Sequence, residues 1–324
     1  MKNSDNLQLR ITTYEIKKLL QFVIRNLTFV LTKFQFQIAE TTRKNRLDKF
    51  LYREINAVSR MYLHHLISDG KCTVDGRVES RGYHLLAGET VEIEVDTGAD
   101  TTVLSENTPL DIVYEDAEIL VINKPHGMLV HPTKGVRSGT LLNALNYYLN
   151  FTETGEPKTE KFIRAGLVHR LDKKTSGLMV VAKNPLAHKT LSRHFQRRLV
   201  EKRYYAVVEG TIKENCGTIN APIGRNAEER FWYIATDGKS AESRFQVIKR
   251  FADATLLELE PVTGRTNQLR LHCAHIGHPI VGDDKYGGRE SERLCLHACK
   301  LFFWHPNGNR RLEFETDLPG DFPT

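Results

Sequence analysis

From residue 110 onward the sequence reads as short apolar, β-branched runs with few helical stretches between them, and that ratio restricts the fold more than any other feature. Strands are expected at residues 112–114, 119–123, 178–182, 204–208, 231–235, 243–248 and 255–259. Helical periodicity is confined to 141–149, 186–199 and 268–276. A regular βα alternation would imply a parallel sheet. Its absence predicts an α+β domain built on a mixed, largely antiparallel sheet, spanning 110–324.

A smaller unit precedes it at 46–95. Leu47, Phe50, Leu51 and Ile55 recur at helical spacing, and Ser59 stands where it can cap a second helix carrying Leu63, Leu66 and Ile67. Gly70 ends that helix. Short strands are expected at 72–74 and 91–95, with a turn at Asp75–Gly76. Residues 96–109 read as a polar linker. Residues 1–35 form a basic, partly apolar leader (Lys17, Lys18, Arg25, Lys33), expected to be disordered or loosely packed.

The bulk numbers exclude some classes. A content of 40% hydrophobic and 27% charged residues describes a soluble globular protein. The net charge of +6 suits a polyanionic partner without identifying one. The apolar stretch at 19–31 is too short to span a bilayer, and Arg25 interrupts it. Cys72, Cys216, Cys273, Cys295 and Cys299 are scattered and follow no secretory signal, which implies reduced thiols in a cytoplasm.

The stretch that carries chemistry is His169-Arg-Leu-Asp-Lys-Lys-Thr-Ser-Gly-Leu178, a polar loop running directly into an apolar strand. It would hold Asp172 on a rigid element beside Arg170, Lys173 and Lys174, cations that favour its ionised form and can neutralise phosphates. The competing use of Asp172 is local, capping its own loop through Thr175 or Ser176. Helix 186–199 and its flank carry Lys189, Arg193, Arg197, Arg198, Lys202 and Arg203, either a solvated face or a phosphate-contacting one. His272, Cys273, His275 and His278 precede Cys295, His297 and Cys299, all of them ligand types, but no Cys-x-x-Cys pair occurs. Core histidines and no metal are the expectation.

Further blocks follow the same order as in a known family. They are Asn123-Lys-Pro-His-Gly127 with Val130-His-Pro132, Glu201-Lys-Arg-Tyr-Tyr-Ala206, Gly264-Arg-Thr-Asn-Gln-Leu-Arg270 with His272, His278-Pro-Ile-Val-Gly-Asp283 with Tyr286-Gly287, and Leu296-His-Ala298 before His305-Pro306. With the 169–178 loop they resemble the RluA-type pseudouridine synthases over residues 110–320. Arg46-Leu-Asp48, Ser59-Arg60, Gly70 and Asp75-Gly76 resemble the small RNA-binding domain first recognised in a ribosomal small-subunit protein. That pairing of domains is similar to the synthases acting on large-subunit ribosomal RNA.

The resemblance implies an isomerase of uridine in structured RNA, above all ribosomal RNA, that works without a cofactor, in the cytoplasm and as a monomer. It makes Asp172 the essential carboxylate and Tyr204 the ring that stacks on the target base. Arg270 becomes the cation that pairs with the aspartate and guides the flipped nucleotide. RNA contacts are expected from Arg170, Lys173, Arg46, Arg60, Arg193 and Arg197. One departure stands out: the family usually has His where Asn267 lies. Tyr205 adjoins Tyr204, and on a strand only one of the two can line a site. The rival from another class is a catalytically silent RNA-binding or ribosome-assembly factor. A metal-dependent nuclease or deaminase would need motifs that this chain lacks.

Overall fold

The protein is described here by a computed structural model covering residues 31–39, 46–55, 58, 60–96, 103–133, 135–159, 163–226 and 231–323. The chain divides into two units, Met1–Val103 and Leu104–Thr324.

In the first unit, alternation of apolar and polar residues makes β1 (Leu31–Gln37), with Phe34 and Phe36 turned toward the core and Lys33, Gln35 and Gln37 exposed. Two helices follow, α1 (Leu47–Glu54) and α2 (Arg60–Ser68), then β2 (Cys72–Val74), β3 (Arg77–Val78) and β4 (Thr90–Asp96). The sheet order is β1-β4-β2-β3. Asp75 and Gly76 both take positive φ, 48° and 75°, which joins β2 tightly to β3. The expected leader of 1–35 is corrected at its end. Residues 31–35 pair with β4, because Phe36 packs edge-on against Phe50 and fixes the strand to the core. Residues 1–30 and Ser59 lie outside the described residues.

The second unit begins with β5 (Asp111–Glu115), β6 (Ile119–Lys124), α3 (Leu141–Asn150), β7 (Gly166–Leu167), β8 (Ser176–Ala182), α4 (Pro185–Gln196) and β9 (Glu201–Glu209). It continues with β10 (Cys216–Asn220), β11 (Ile223–Asn226), β12 (Phe231–Ile234), β13 (Glu242–Arg250), β14 (Ala254–Pro261), α5 (Gln268–His275), β15 (Leu296–Trp304) and β16 (Arg311–Glu315). A 10-stranded sheet has the path β10-β13-β14-β9-β15-β8-β6-β5, with β16 on β15 and β7 on β8. Every pairing in it is antiparallel except β15 with β8. The fold is therefore α+β with a mixed, largely antiparallel sheet.

Three local differences from the sequence reading have physical causes. Helix α4 starts at Pro185, capped by the Asn184 side chain, and stops at Gln196 because Arg198 adopts a left-handed φ of 57°. Segment 231–235 pairs with β11 in a separate ribbon, not in the main sheet. Residues 104–109 of the expected linker pack on the second unit, where Asn143 Nδ2 donates to the Leu104 carbonyl (2.8 Å) and Glu106 accepts from Gly139 N (2.7 Å).

Candidate active site

The parallel contact of β8 with β15 places the 169–178 loop. Gly177 sits at φ 117°, and a Cβ there would collide with the Ala298 backbone, so only glycine lets β8 abut β15 at this point. Leu171 anchors the loop in the apolar core between β6, β8 and α3. Asp172 is half-buried, and among the described residues no side chain forms a hydrogen bond or ion pair with its carboxylate. The capping use of Asp172 is not what the loop shows. Thr175 N donates to the Asp172 backbone carbonyl (3.1 Å), and Ser176 Oγ is engaged by His297 and Arg293.

Lys124, Tyr204, Arg270 and Tyr286 all feel the charge of this carboxylate. Burial drives Lys124 down to about 8 while Asp172 pulls the other way. Burial, then Asp172, pushes the Tyr204 hydroxyl well above its ordinary value, so it enters any chemistry as a neutral phenol. Tyr204 packs at the junction of two cores, whereas Tyr205 meets the charges of Glu258, Lys300 and Glu315, as strand alternation requires.

Arg270 is 7% exposed, and its ion pair is not with Asp172 as the resemblance implied. Nε and Nη2 donate to Asp283 at 2.7 and 2.6 Å. Burial works to lower the Arg270 pKa, but the Asp283 hydrogen bonds and charge outweigh it and leave it raised. Asp283 is fully buried and also accepts from the backbone N–H groups of Lys285 and Tyr286 (3.1 and 3.2 Å). The geometry comes from Gly282, at φ 79°, where a side chain would strike the Arg293 carbonyl. The guanidinium lies 5.0 Å from the Tyr286 ring centroid. Asn267, the departure from the family pattern, has a left-handed φ of 55°, a conformation asparagine tolerates, and its Nδ2 donates to the Tyr286 hydroxyl (2.9 Å). It therefore props the ring beneath Arg270.

Lys124 received no role from the sequence, although a lysine closing an apolar strand run was a signal. Its fully buried ammonium donates to the carbonyls of Pro125 (2.7 Å), Met128 (2.9 Å) and Lys173 (3.4 Å), tying the 125–128 turn to the Asp172 loop. Of the cations around Asp172, Lys174 pairs with Asp284 (2.7 Å), and both side chains are largely exposed. Lys173 and Arg170 are exposed, with the charge of Arg170 felt at His131. Arg193 and Arg197 are exposed along and just after α4.

In the first unit, Arg46 grips Asp48 through Nε and Nη2, both at 3.0 Å, and Arg60 is the first residue of α2. Three of the four histidines weighed as ligands have other partners. His272 Nε2 meets the Ala221 carbonyl (3.0 Å), His278 Nδ1 the Glu209 carbonyl (2.6 Å), and His297 bridges Ser176 and Thr316. Among the described residues no helix is long and apolar enough to cross a membrane.

A family model described as RNA pseudouridylate synthase matches residues 118–275. An uncharacterized RNA pseudouridine synthase of Bacillus subtilis is 42% identical, over 87% of this chain and 93% of that protein. The ribosomal large subunit pseudouridine synthase D of Pseudomonas aeruginosa is 42% identical, over 86% of this chain and 89% of its own. Among solved structures, human RNA pseudouridylate synthase domain containing 1 is 32% identical, with a TM-score of 0.54 over 66% of this chain and 85% of that one.

Proposed function

This chain belongs to the RNA pseudouridylate synthase family, isomerases that convert uridine in RNA to pseudouridine, and from that premise we propose that it modifies large-subunit ribosomal RNA through Asp172. The observation that carries the assignment to Asp172 is its carboxylate, unpaired among the described residues, with the buried Lys124 and Arg270 and the half-buried Tyr204 within reach of its charge.

The reaction breaks the bond from ribose C1′ to uracil N1, turns the base, and joins C1′ to C5. C5 then loses its proton and N1 gains one. A carboxylate can act as a nucleophile or remove a ribose proton, and both uses require its ionised form. Tyr204 offers a ring on which the extruded base stacks, a contact typically worth about 1–3 kcal/mol. Arg270, fixed by the Asp283 fork, steers the nucleotide without swinging away. Arg170, Lys173, Arg193 and Arg197 are exposed cations suited to backbone phosphates, and Arg46 and Arg60 extend RNA binding to the first unit. No step calls for a metal or an organic cofactor. The relatives named for the large ribosomal subunit support the choice of RNA, and the same reading has the protein acting as a cytoplasmic monomer.

Mapping pseudouridines in total RNA from cells with and without the gene tests the proposal. Specific large-subunit sites should disappear on deletion, return with the wild-type gene, and stay absent with Asp172→Asn. Restoration by Asp172→Asn would overturn the assignment.

A further inference from the structure

A second buried network reaches the Asp172 loop from the far end of the chain. Arg293, its side chain 4% exposed, donates through Nη1 to both oxygens of Asp321 (2.9 and 3.0 Å) and through Nη2 to Ser176 Oγ. Its guanidinium also lies 5.0 Å from the ring centroid of Phe322, which is buried in the core. Hydrogen-bond directions follow from the chemistry of each group. Arginine only donates, so Ser176 Oγ accepts from it, and the hydroxyl also lies 2.7 Å from His297 Nδ1. Thr316 Oγ1 gives its one proton to the Cys299 carbonyl (3.4 Å), so it accepts from His297 Nε2–H (2.9 Å), and a neutral His297 then accepts the Ser176 proton on Nδ1. Burial, then the Arg293 charge, pushes His297 down to about 4, which matches the neutral ring the chain of bonds demands. With Arg293 and Thr316 donating at the two ends, the pairings between them run in one direction. The network is thus a fixed strut, not a set of alternative pairings.

Ser176 is the residue at which this strut meets the catalytic loop. It follows Thr175, whose N–H closes the turn on the Asp172 carbonyl, and it precedes the sterically locked Gly177. We propose that Arg293 and Asp321 are positioning residues for the isomerisation: the C-terminal segment, through Asp321, holds Arg293 on Ser176 and so sets the placement of Asp172. Neither side chain needs to touch the RNA. This inference rests on Asp172 being the catalytic carboxylate.

The test is single-turnover release of tritium from [5-³H]uridine-labelled ribosomal RNA of cells lacking the gene, together with the dissociation constant for that RNA. Wild type, Asp172→Asn, Asp321→Ala, Asp321→Glu, Ser176→Ala and the Asp321→Ala/Ser176→Ala double variant are compared. Asp321 is 44% exposed, so its truncation opens no cavity, and denaturant midpoints measured on the same variants establish that each is folded although Arg293 loses its counter-ion. The rate for Asp321→Ala should fall about 10- to 100-fold, the scale of a small misplacement of a reacting group. Affinity should stay within about twofold, Asp321→Glu should recover most of the rate, and the double variant should be no slower than the slower single one. A wild-type rate for Asp321→Ala, a matching loss of affinity, or strictly multiplicative rate losses would overturn the inference while leaving an inactive Asp172→Asn to support the catalytic assignment. Turnover by Asp172→Asn would remove both.

Discussion

The tripeptide Arg-Leu-Asp occurs in both units, at residues 46–48 and 170–172, and the two copies leave their carboxylates in opposite states. The middle leucine is buried in each, Leu47 fully and Leu171 nearly so. At 46–48 the backbone passes from an extended Arg46 (φ −65°, ψ 140°) into helix α1, and the arginine folds back onto an aspartate that is 1% exposed. His64 Nε2 lies 3.3 Å from the same carboxylate. At 170–172 the tripeptide lies in a loop. Arg170 is exposed and does not fold back onto the aspartate, and Asp172 keeps a carboxylate that no described side chain pairs with. A buried aspartate gripped by arginine serves the fold. One held half-buried without a partner is available to substrate, and the backbone decides which of the two a given Asp becomes.

Beyond loss of Asp172 itself, the largest effect is expected at Asp283, the buried aspartate paired with Arg270. Asp283→Asn leaves Arg270 buried without its counter-ion, which should cost about 3–5 kcal/mol. Turnover should fall about 100-fold or more as the guanidinium loses its fork. Denaturant midpoints and single-turnover rates check both, and Arg270→Lys, which keeps charge but not the fork, should share the rate defect. A stable, active Asp283→Asn would mean that the pair positions nothing.

Lys124 gives a smaller effect with a definite pH dependence. Below about 8 its charged amine holds the carbonyl of Lys173, and above that value the grip weakens. The rate should therefore decline as pH rises through about 8, a limb absent from Lys124→Met. Stability moves the other way for this group. The unfolded chain holds the proton up to the ordinary value of 10.5 while the folded one releases it near 8, so the burial cost of the charge shrinks as pH rises between them. The difference in denaturant stability between wild type and Lys124→Met, followed across that window, should increase with pH. A flat difference would show that the amine is not desolvated.

Asp48→Asn should have the smallest effect on chemistry. It removes the partner of Arg46 and should cost the first unit about 1–3 kcal/mol, with weaker RNA binding. The single-turnover rate at saturating RNA should be unchanged. A rate loss with saturation confirmed would dissolve the contrast between the two tripeptides.

Much of this architecture was legible because it depends on near neighbours. The 169–178 loop, the helices near 141–149 and 268–276, and the strand at 178–182 follow from composition and periodicity. What stayed hidden depends on distance in sequence or on backbone atoms. Arg270 finds Asp283 because Gly282 packs against Arg293, and Arg293 finds Asp321 only after the chain has returned beside β15. Lys124 acts on carbonyls, which every residue carries, so no motif announces its acceptors. Strand β15 was obscured by the cysteine and histidine alternation at 295–299, whose residue types are also those of metal ligands, and its bulge between Ala298 and Lys300 breaks the period.

The measurement that bears most directly on the central claim is tritium release from [5-³H]uridine-labelled ribosomal RNA, run in parallel for wild type, Asp172→Asn and Asp48→Asn with RNA affinity measured on the same preparations. Release should vanish for Asp172→Asn with RNA still bound, and proceed at the wild-type rate for Asp48→Asn once RNA saturates. Release by Asp172→Asn at a rate near wild type would contradict the account.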